Sequence, residues 1–276
     1  MIHIPIMKPN IVNTYTFPWV SSSAIISGIS STGTDNPTPV FWNYNGDIYL
    51  IYGEVAGTFQ GYKWNTTTDE WDSNTAIVSG LTDIGLVSSP TIFELNGTWY
   101  IHSTDRLGNR YGFVWGGSSW SASTYIINGL PKYTDEWPVP NAFWLDGDLY
   151  MFTGTKSYNI YGHKWNTTTE QWDDATSYIT NGIDDNINYI TMKAFWVNGD
   201  LYASVGGFNL NHLDGYKWNT TTEQWDTDTD YVSGLPTTSA IGSYPSVAVH
   251  EVYDELWMII GKGNDNNWLG YKIVAD

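Results

Sequence analysis

The chain has 276 residues, 41% of them hydrophobic, enough for a sizeable buried core in one large domain or two small ones. Its 29 Asp and Glu against 11 Lys and Arg leave a formal charge of -18, a field that repels phosphate backbones and argues against nucleic acid as a partner. Only 14% of residues are charged and 16% are aromatic, so this is not a disordered acidic chain, and the absence of Cys removes disulfides, thiol nucleophiles and zinc–thiolate sites.

The first nine residues, Met1 to Pro9, lack the basic and continuous apolar regions of a secretory signal. The expected location is therefore the cytoplasm, or a virion or the extracellular space after release. No apolar run approaches the roughly 18 residues of a membrane helix, so no membrane insertion is expected.

From the N-terminus onward, one unit is used about five times. The stretch from Trp19 to Gly28 copies that from Trp71 to Gly80, with the same spacing from Trp to Gly. A hairpin follows, with apolar runs on either side of Asn45-Gly46. The turn recurs as Asn96-Gly97, Asp146-Gly147 and Asn198-Gly199, at steps of about 50 residues, and decays at Tyr253-Asp254. Asn-Gly and Asp-Gly suit two-residue type I′ turns, whose central residues both need φ > 0. A third strand then ends at Trp64, the turn Asn65-Thr66-Thr67-Thr68 intervenes, and a fourth strand starts near Trp71. The pair returns as Trp165 and Trp172, as Trp218 and Trp225, and in reduced form as Trp115 and Trp120. The fourth strand is expected to close through Ile77-Val78-Ser79-Gly80 and its counterparts at Gly129, Gly182 and Gly234.

Four strands in about 50 residues make one β-propeller blade. The last unit, from Pro245, stops after three strands, and its missing fourth is the copy at Trp19. The predicted fold is all-β: residues 1–276 as a single five-bladed β-propeller, closed by an N-terminal strand that completes the last blade and removes open sheet edges. Residues 13–29 supply the outer strand of blade five, and the blades span 37–81, 88–130, 138–183, 190–235 and 244–276.

An apolar strand ending in glycine, followed by an aromatic–turn–Trp pair, resembles the kelch repeat of galactose-oxidase-type propellers. Gly206-Gly207 stands at the place of the kelch double glycine, and Trp218 and Trp225 stand where kelch has Tyr and Trp, with Asn219 at its Asp position. The double glycine survives in one unit only, Trp replaces Tyr, and kelch rings normally have more blades. Five blades of this length are similar to tachylectin-2-like lectins. The resemblance implies a fold and does not choose a function.

In a propeller the loops between strands two and three share one face with the inter-blade segments. Here those loops differ in every unit, whereas the turns of the opposite face are nearly identical. The divergent set holds the candidate ligand-binding residues Phe59, Arg106, Arg110, Trp137, Tyr158, Asn159, Tyr189, Asn211, His212, Tyr244, Asn266 and Trp268. These are residue types that recognise hydroxyl-rich or protein ligands.

Five-bladed furanosidases and related glycosidases use carboxylates around the central funnel. The first strands here carry Phe41-Trp42, Phe93-Glu94, Phe143-Trp144 and Phe195-Trp196, so the funnel reads as aromatic, with Glu94 its one acid. Asp135, Glu136, Asp184 and Asp185 lie in inter-blade segments, and Glu136 with Asp185 is the conceivable catalytic pair. Ser103-Thr104-Asp105 matches a sialidase Asp box poorly, its glycine falling one place late at Gly108. No Cys is present for a Cys–Tyr copper site.

Asp226, Asp228 and Asp230 lack the glycine and distal Glu of a calcium loop and read as guards of an exposed edge. No cofactor is expected apart from calcium at Asn264, Asp265, Asn266 and Asn267, whose side-chain oxygens could ligate it. The function expected from sequence is non-catalytic recognition of a glycan, a glycosylated surface or a receptor through the loop face, as in a virion tail or capsid appendage that also meets other virion or surface proteins. A structural or protein-docking subunit is the alternative, and a glycoside hydrolase ranks third.

Overall fold

The computed structural model describes residues 14–30, 38–54, 56–85, 89–133, 137–157, 159–184, 190–207, 212–236, 246–252, 254–261 and 268–276. The described strands form five antiparallel four-stranded sheets. The first strand, β1 (Val20–Ser21), belongs to the last sheet. Blade one is β2 (Thr38–Tyr44), β3 (Asp47–Gly53), β4 (Phe59–Asn65) and β5 (Glu70–Ser73). Blade two is β6 (Ser89–Leu95), β7 (Thr98–Thr104), β8 (Arg110–Trp115) and β9 (Trp120–Ala122). Blade three is β10 (Val139–Leu145), β11 (Asp148–Gly154), β12 (Ile160–Asn166) and β13 (Gln171–Asp174). Blade four is β14 (Thr191–Val197), β15 (Asp200–Gly206), β16 (Asp214–Asn219) and β17 (Gln224–Thr227). Blade five is β18 (Ser246–Val252), β19 (Glu255–Gly261) and β20 (Trp268–Val274), completed by β1.

The ring closes as the repeat implies. Val20 pairs with Lys272 and Ser21 with Tyr271, and a further bridge joins Tyr15 to Ala275. Asn198 clips the same segment to blade four, accepting from Tyr15 N–H at 2.8 Å and donating to Tyr15 C=O at 2.6 Å.

The turn chemistry follows from local residues. Asn45, Asn96, Asp146 and Asn198 have φ of 52° to 54°, each followed by a glycine at 76° to 86°, the two positive angles of a type I′ turn. In the three Asn-Thr-Thr-Thr turns the Asn Oδ1 accepts two main-chain N–H groups, as Asn166 does from Thr168 and Thr169.

The fourth strands are shorter than the sequence implies. Strand β5 ends at Ser73, and Thr75–Val78 forms a single 3₁₀ turn, capped by Asn74 Oδ1 at Ile77 N–H. The turn tucks Ile77 beneath the blade, where Gly61 leaves room; a Cβ there would lie 2.6 Å from the Ile77 side chain. Burying one large side chain per blade, Ile25, Ile77, Ile126, Ile179 or Tyr231, outweighs extending an exposed outer strand.

The core is five wedges, one between each pair of neighbouring blades. Every wedge carries the same lock. The strand-four tryptophans Trp19, Trp71, Trp120, Trp172 and Trp225 are each 2% exposed, and each indole N–H donates to a carbonyl in the preceding blade's closing turn at 2.7 to 2.9 Å. The third-strand rings of Trp64, Trp165 and Trp218 pack edge-on to their strand-four partners, with Trp165 and Trp172 5.4 Å apart at 74°.

Candidate functional site: the axial channel and its loop-face mouth

The inner strands β2, β6, β10, β14 and β18 surround an axial channel, and each begins at the loop face. Loops between strands two and three touch the inter-blade segments there. Ile84 N–H donates to Gly57 C=O at 3.3 Å, Trp137 N–H to Arg106 C=O at 3.1 Å, and Ile190 N–H to Thr155 C=O at 3.2 Å. The divergent loops therefore share one face.

Of the sequence-derived site residues, the structure brings Arg106 and Trp137 together. The guanidinium lies 5.1 Å from the indole centroid, over a tryptophan held at φ 63°. Arg110 opens β8 in the same sector, half-buried beside Tyr133, and burial lowers its pKa. Asn159 is exposed, its carbonyl accepting from Thr155 N–H at 3.0 Å. His212 Nε2 lies 3.1 Å from Asp214 Oδ1.

Phe59 and Trp268 are not surface groups. Phe59 is 8% exposed, packed against Phe113 in the wedge between blades one and two. Trp268 is 7% exposed, edge-on to Tyr52 at 4.9 Å with its indole N–H toward Ser30 C=O. Both open strands from the loop side, and alternation turns their rings into the wedge. Tyr158, Tyr189, Asn211, Tyr244 and Asn266 lie outside the described residues, as do the calcium candidates Asn264 to Asn267. No group of three or more His, Asp or Glu able to hold a metal occurs among the described residues.

The aromatic funnel expected from sequence is also corrected. Trp42, Phe93 and Phe143 are 1%, 4% and 6% exposed and point into the wedges. At mid-height a cavity of about 130 Å³ keeps only Phe41 and Phe195 of the expected aromatics in its lining, beside small, aliphatic and polar groups that include Val40, Thr91, Asn141, Lys193 and His250. Its described lining contains no carboxylate. Glu94 sits one residue from the end of β6 nearer the opposite face, half-buried and paired with Trp99. Asp105 is occupied structurally, accepting from Leu107 N–H, Asn109 N–H, the Asn109 amide and Tyr111 O–H within 3.1 Å.

Lys193 is the residue that single-motif reading missed. It is 6% exposed, its Nζ has no hydrogen-bond partner, and burial lowers its pKa to about 8. Aligning the repeats would have found it, because Val40, Thr91, Asn141, Lys193 and Ala248 each stand third in an inner strand. His250, half-buried and stacked on Phe41 at 5.6 Å, also has an unpartnered Nε2 and a pKa lowered to about 4 by burial.

These shifts set a pH dependence. The folded state holds Lys193 at about 8 and the unfolded chain at the ordinary 10.5, so between those values the unfolded state binds more protons. The penalty of the buried ammonium is fully present below pH 8 and is relieved as pH rises toward 10.5. Lys193→Met is expected to stabilise the protein by about 1–3 kcal/mol at pH 7. That gain should shrink toward pH 10 in urea-unfolding series at the two pH values; an equal gain at both would remove the assignment.

No protein-family model matches the chain, and a search of curated proteins finds no match. Among solved structures it is similar to an α-L-arabinofuranosidase from Podospora anserina in complex with cellotriose, at 11% identity and TM-score 0.63, covering 95% of this chain and 98% of that one. It is also similar to the β-xylosidase RS223, at 9% identity and TM-score 0.62, covering 88% and 92%. A third is CoXyl43, a GH43 β-xylosidase/α-arabinofuranosidase from a compost microbial metagenome in complex with xylotriose, at 11% identity and TM-score 0.59, covering 93% and 95%. The likeness is one of fold: a complete five-bladed ring.

It corrects three expectations. The similar rings are glycosidases, so neither the kelch repeat nor the tachylectin-2-like lectin is the relevant comparison. The reading as a non-catalytic recognition, virion or docking module, and the expectation that the chain is not an enzyme, are overturned by its likeness to xylosidases and arabinofuranosidases. A glycan as partner is consistent with these neighbours. The chain has the five-bladed propeller fold seen in these xylosidases and arabinofuranosidases.

Proposed function

We propose that the protein is a glycoside hydrolase that cleaves pentose-containing glycans at the loop-face mouth of the channel. The observation that carries this reading is the end-to-end match of the ring to xylosidases and arabinofuranosidases, with nearly all of both chains covered. The Arg106–Trp137 stack supports it, because an indole held by a guanidinium is a stiff, flat surface for the C–H face of a sugar. Glycosidase chemistry needs two carboxylates flanking the scissile bond, one protonating the leaving oxygen and the other serving as base or nucleophile. The described channel lining contributes none, so we assign the roles to acids of the inter-blade segments, Glu136 and Asp185. Both lie outside the described residues, a few positions before β10 and β14 in the chain.

The test is hydrolysis of chromogenic β-xylosides and α-arabinofuranosides. The wild type is expected to turn over at least one of them, and Glu136→Gln or Asp185→Asn to lower kcat by about 100-fold or more with unchanged thermal unfolding. Wild-type inactivity on the whole panel, or full activity in both variants, would overturn the reading.

A further inference from the structure

Main-chain groups line the channel in a regular way. In each inner hairpin, hydrogen-bonded pairs alternate from the two-residue turn, so the second and fourth residues of the inner strand turn their polar groups toward the axis. At the second place β2, β6 and β10 carry Pro39, Pro90 and Pro140, which have no N–H to leave unpaired. At the fourth place the N–H of Ala142 is capped by Thr91 Oγ1 at 2.9 Å, and that of Ala194 by Asn141 Oδ1 at 2.8 Å. In both cases the third residue of one blade reaches over to cap the next.

Lys193 breaks this pattern. It holds the capping place opposite Val249, whose N–H shares the axial register, and an ammonium cannot accept a hydrogen bond. A backbone N–H only donates, so Asn141 Oδ1 must face Ala194 N–H, and the amide NH₂ is turned away from it as a donor. Around the cavity the side chain of Lys193 is thus unpartnered, the free half of Asn141 is a donor, and His250 Nε2 can become one. The described lining supplies no opposite charge, although burying an unpaired cation costs several kcal/mol.

We propose that the middle of the channel binds a small anion, a halide or a carboxylate group, between the Lys193 ammonium, the Asn141 amide NH₂ and the Val249 N–H. This holds whether or not the protein hydrolyses glycosides. The carboxylate could be a free ion such as formate or belong to a sugar acid, and the experiment separates the two.

Thermal unfolding is followed at pH 7 in sodium bromide, sodium formate and sodium glucuronate, with ionic strength held constant by a bulky sulfonate. A wild-type Tm rise of about 5–10 °C at a hundredfold excess over the dissociation constant is expected. It should be absent in Lys193→Met. A rise with bromide and formate identifies a free-ion site, and a rise with glucuronate alone identifies the carboxylate of a sugar acid. Crystals of the wild type soaked in bromide give a readout independent of any variant: an anomalous peak within hydrogen-bond distance of Lys193 Nζ is expected for the free-ion site. The proposal fails if that peak is absent and no anion separates wild type from Lys193→Met.

Discussion

Trp19→Ala is expected to cost about 3–5 kcal/mol, lowering Tm by roughly 6–20 °C for a ring of this size. Trp19 is 2% exposed in the wedge between blades four and five. Its indole donates to Tyr231 C=O at 2.8 Å and its N–H to Ser233 C=O at 2.9 Å. Truncation leaves a cavity the size of an indole and an unpaired carbonyl in a buried wedge. The comparison that gives the result meaning is Trp120→Ala, which removes the same lock between blades one and two, where the chain is continuous. The two losses should agree within about 1 kcal/mol. A Trp19→Ala loss far below that of Trp120→Ala, in calorimetry or urea unfolding, would mean that the N-terminal strand does not close the ring in solution.

Gly182→Ala is expected to destabilise by about 3 kcal/mol or more, with a large loss of folded protein on expression. Two effects combine. Gly182 has φ +88°, which costs an L-residue about 1–2 kcal/mol. A Cβ there would also sit 2.2 Å from Trp225 C=O in the adjoining blade, a contact relieved only by moving one blade against the next. Gly46→Ala isolates the first effect: its φ is +82° and nothing lies within 4 Å of the added atom. It should therefore lose only about 1 kcal/mol. Equal losses from the two substitutions in denaturant unfolding would show that blade contact at Gly182 adds nothing.

The same interface shows why much of the fold is legible in the chain. The Trp-to-Gly unit recurs because five wedges each need an indole, a carbonyl acceptor and a glycine where two backbones nearly touch. Repetition therefore exposes the lock without any knowledge of its geometry. The length of strand four was less legible. Ile77 and its counterparts alternate well enough for a strand, and only the space beneath Gly61 shows why the chain turns inward after Ser73.

Of the candidate site, Arg106 and Trp137 were visible as divergent loop residues, and their stacking was not. Phe59 and Trp268 carry the same sequence signature of an aromatic beside a variable loop. Whether such a ring faces solvent or a wedge depends on the neighbouring blade, which lies far along the chain.

By itself the sequence determined the turn types, the repeat length, the blade number and the closing strand. These depend on contacts within one unit, or on one relation repeated between successive units. Only the tertiary structure decided what meets at the axis. Thr91, Asn141 and Lys193 come from three separate repeats, each about 50 residues from the next. What Lys193 requires there, a partner for a charge held away from water, follows from its burial between blades rather than from any pattern along the chain.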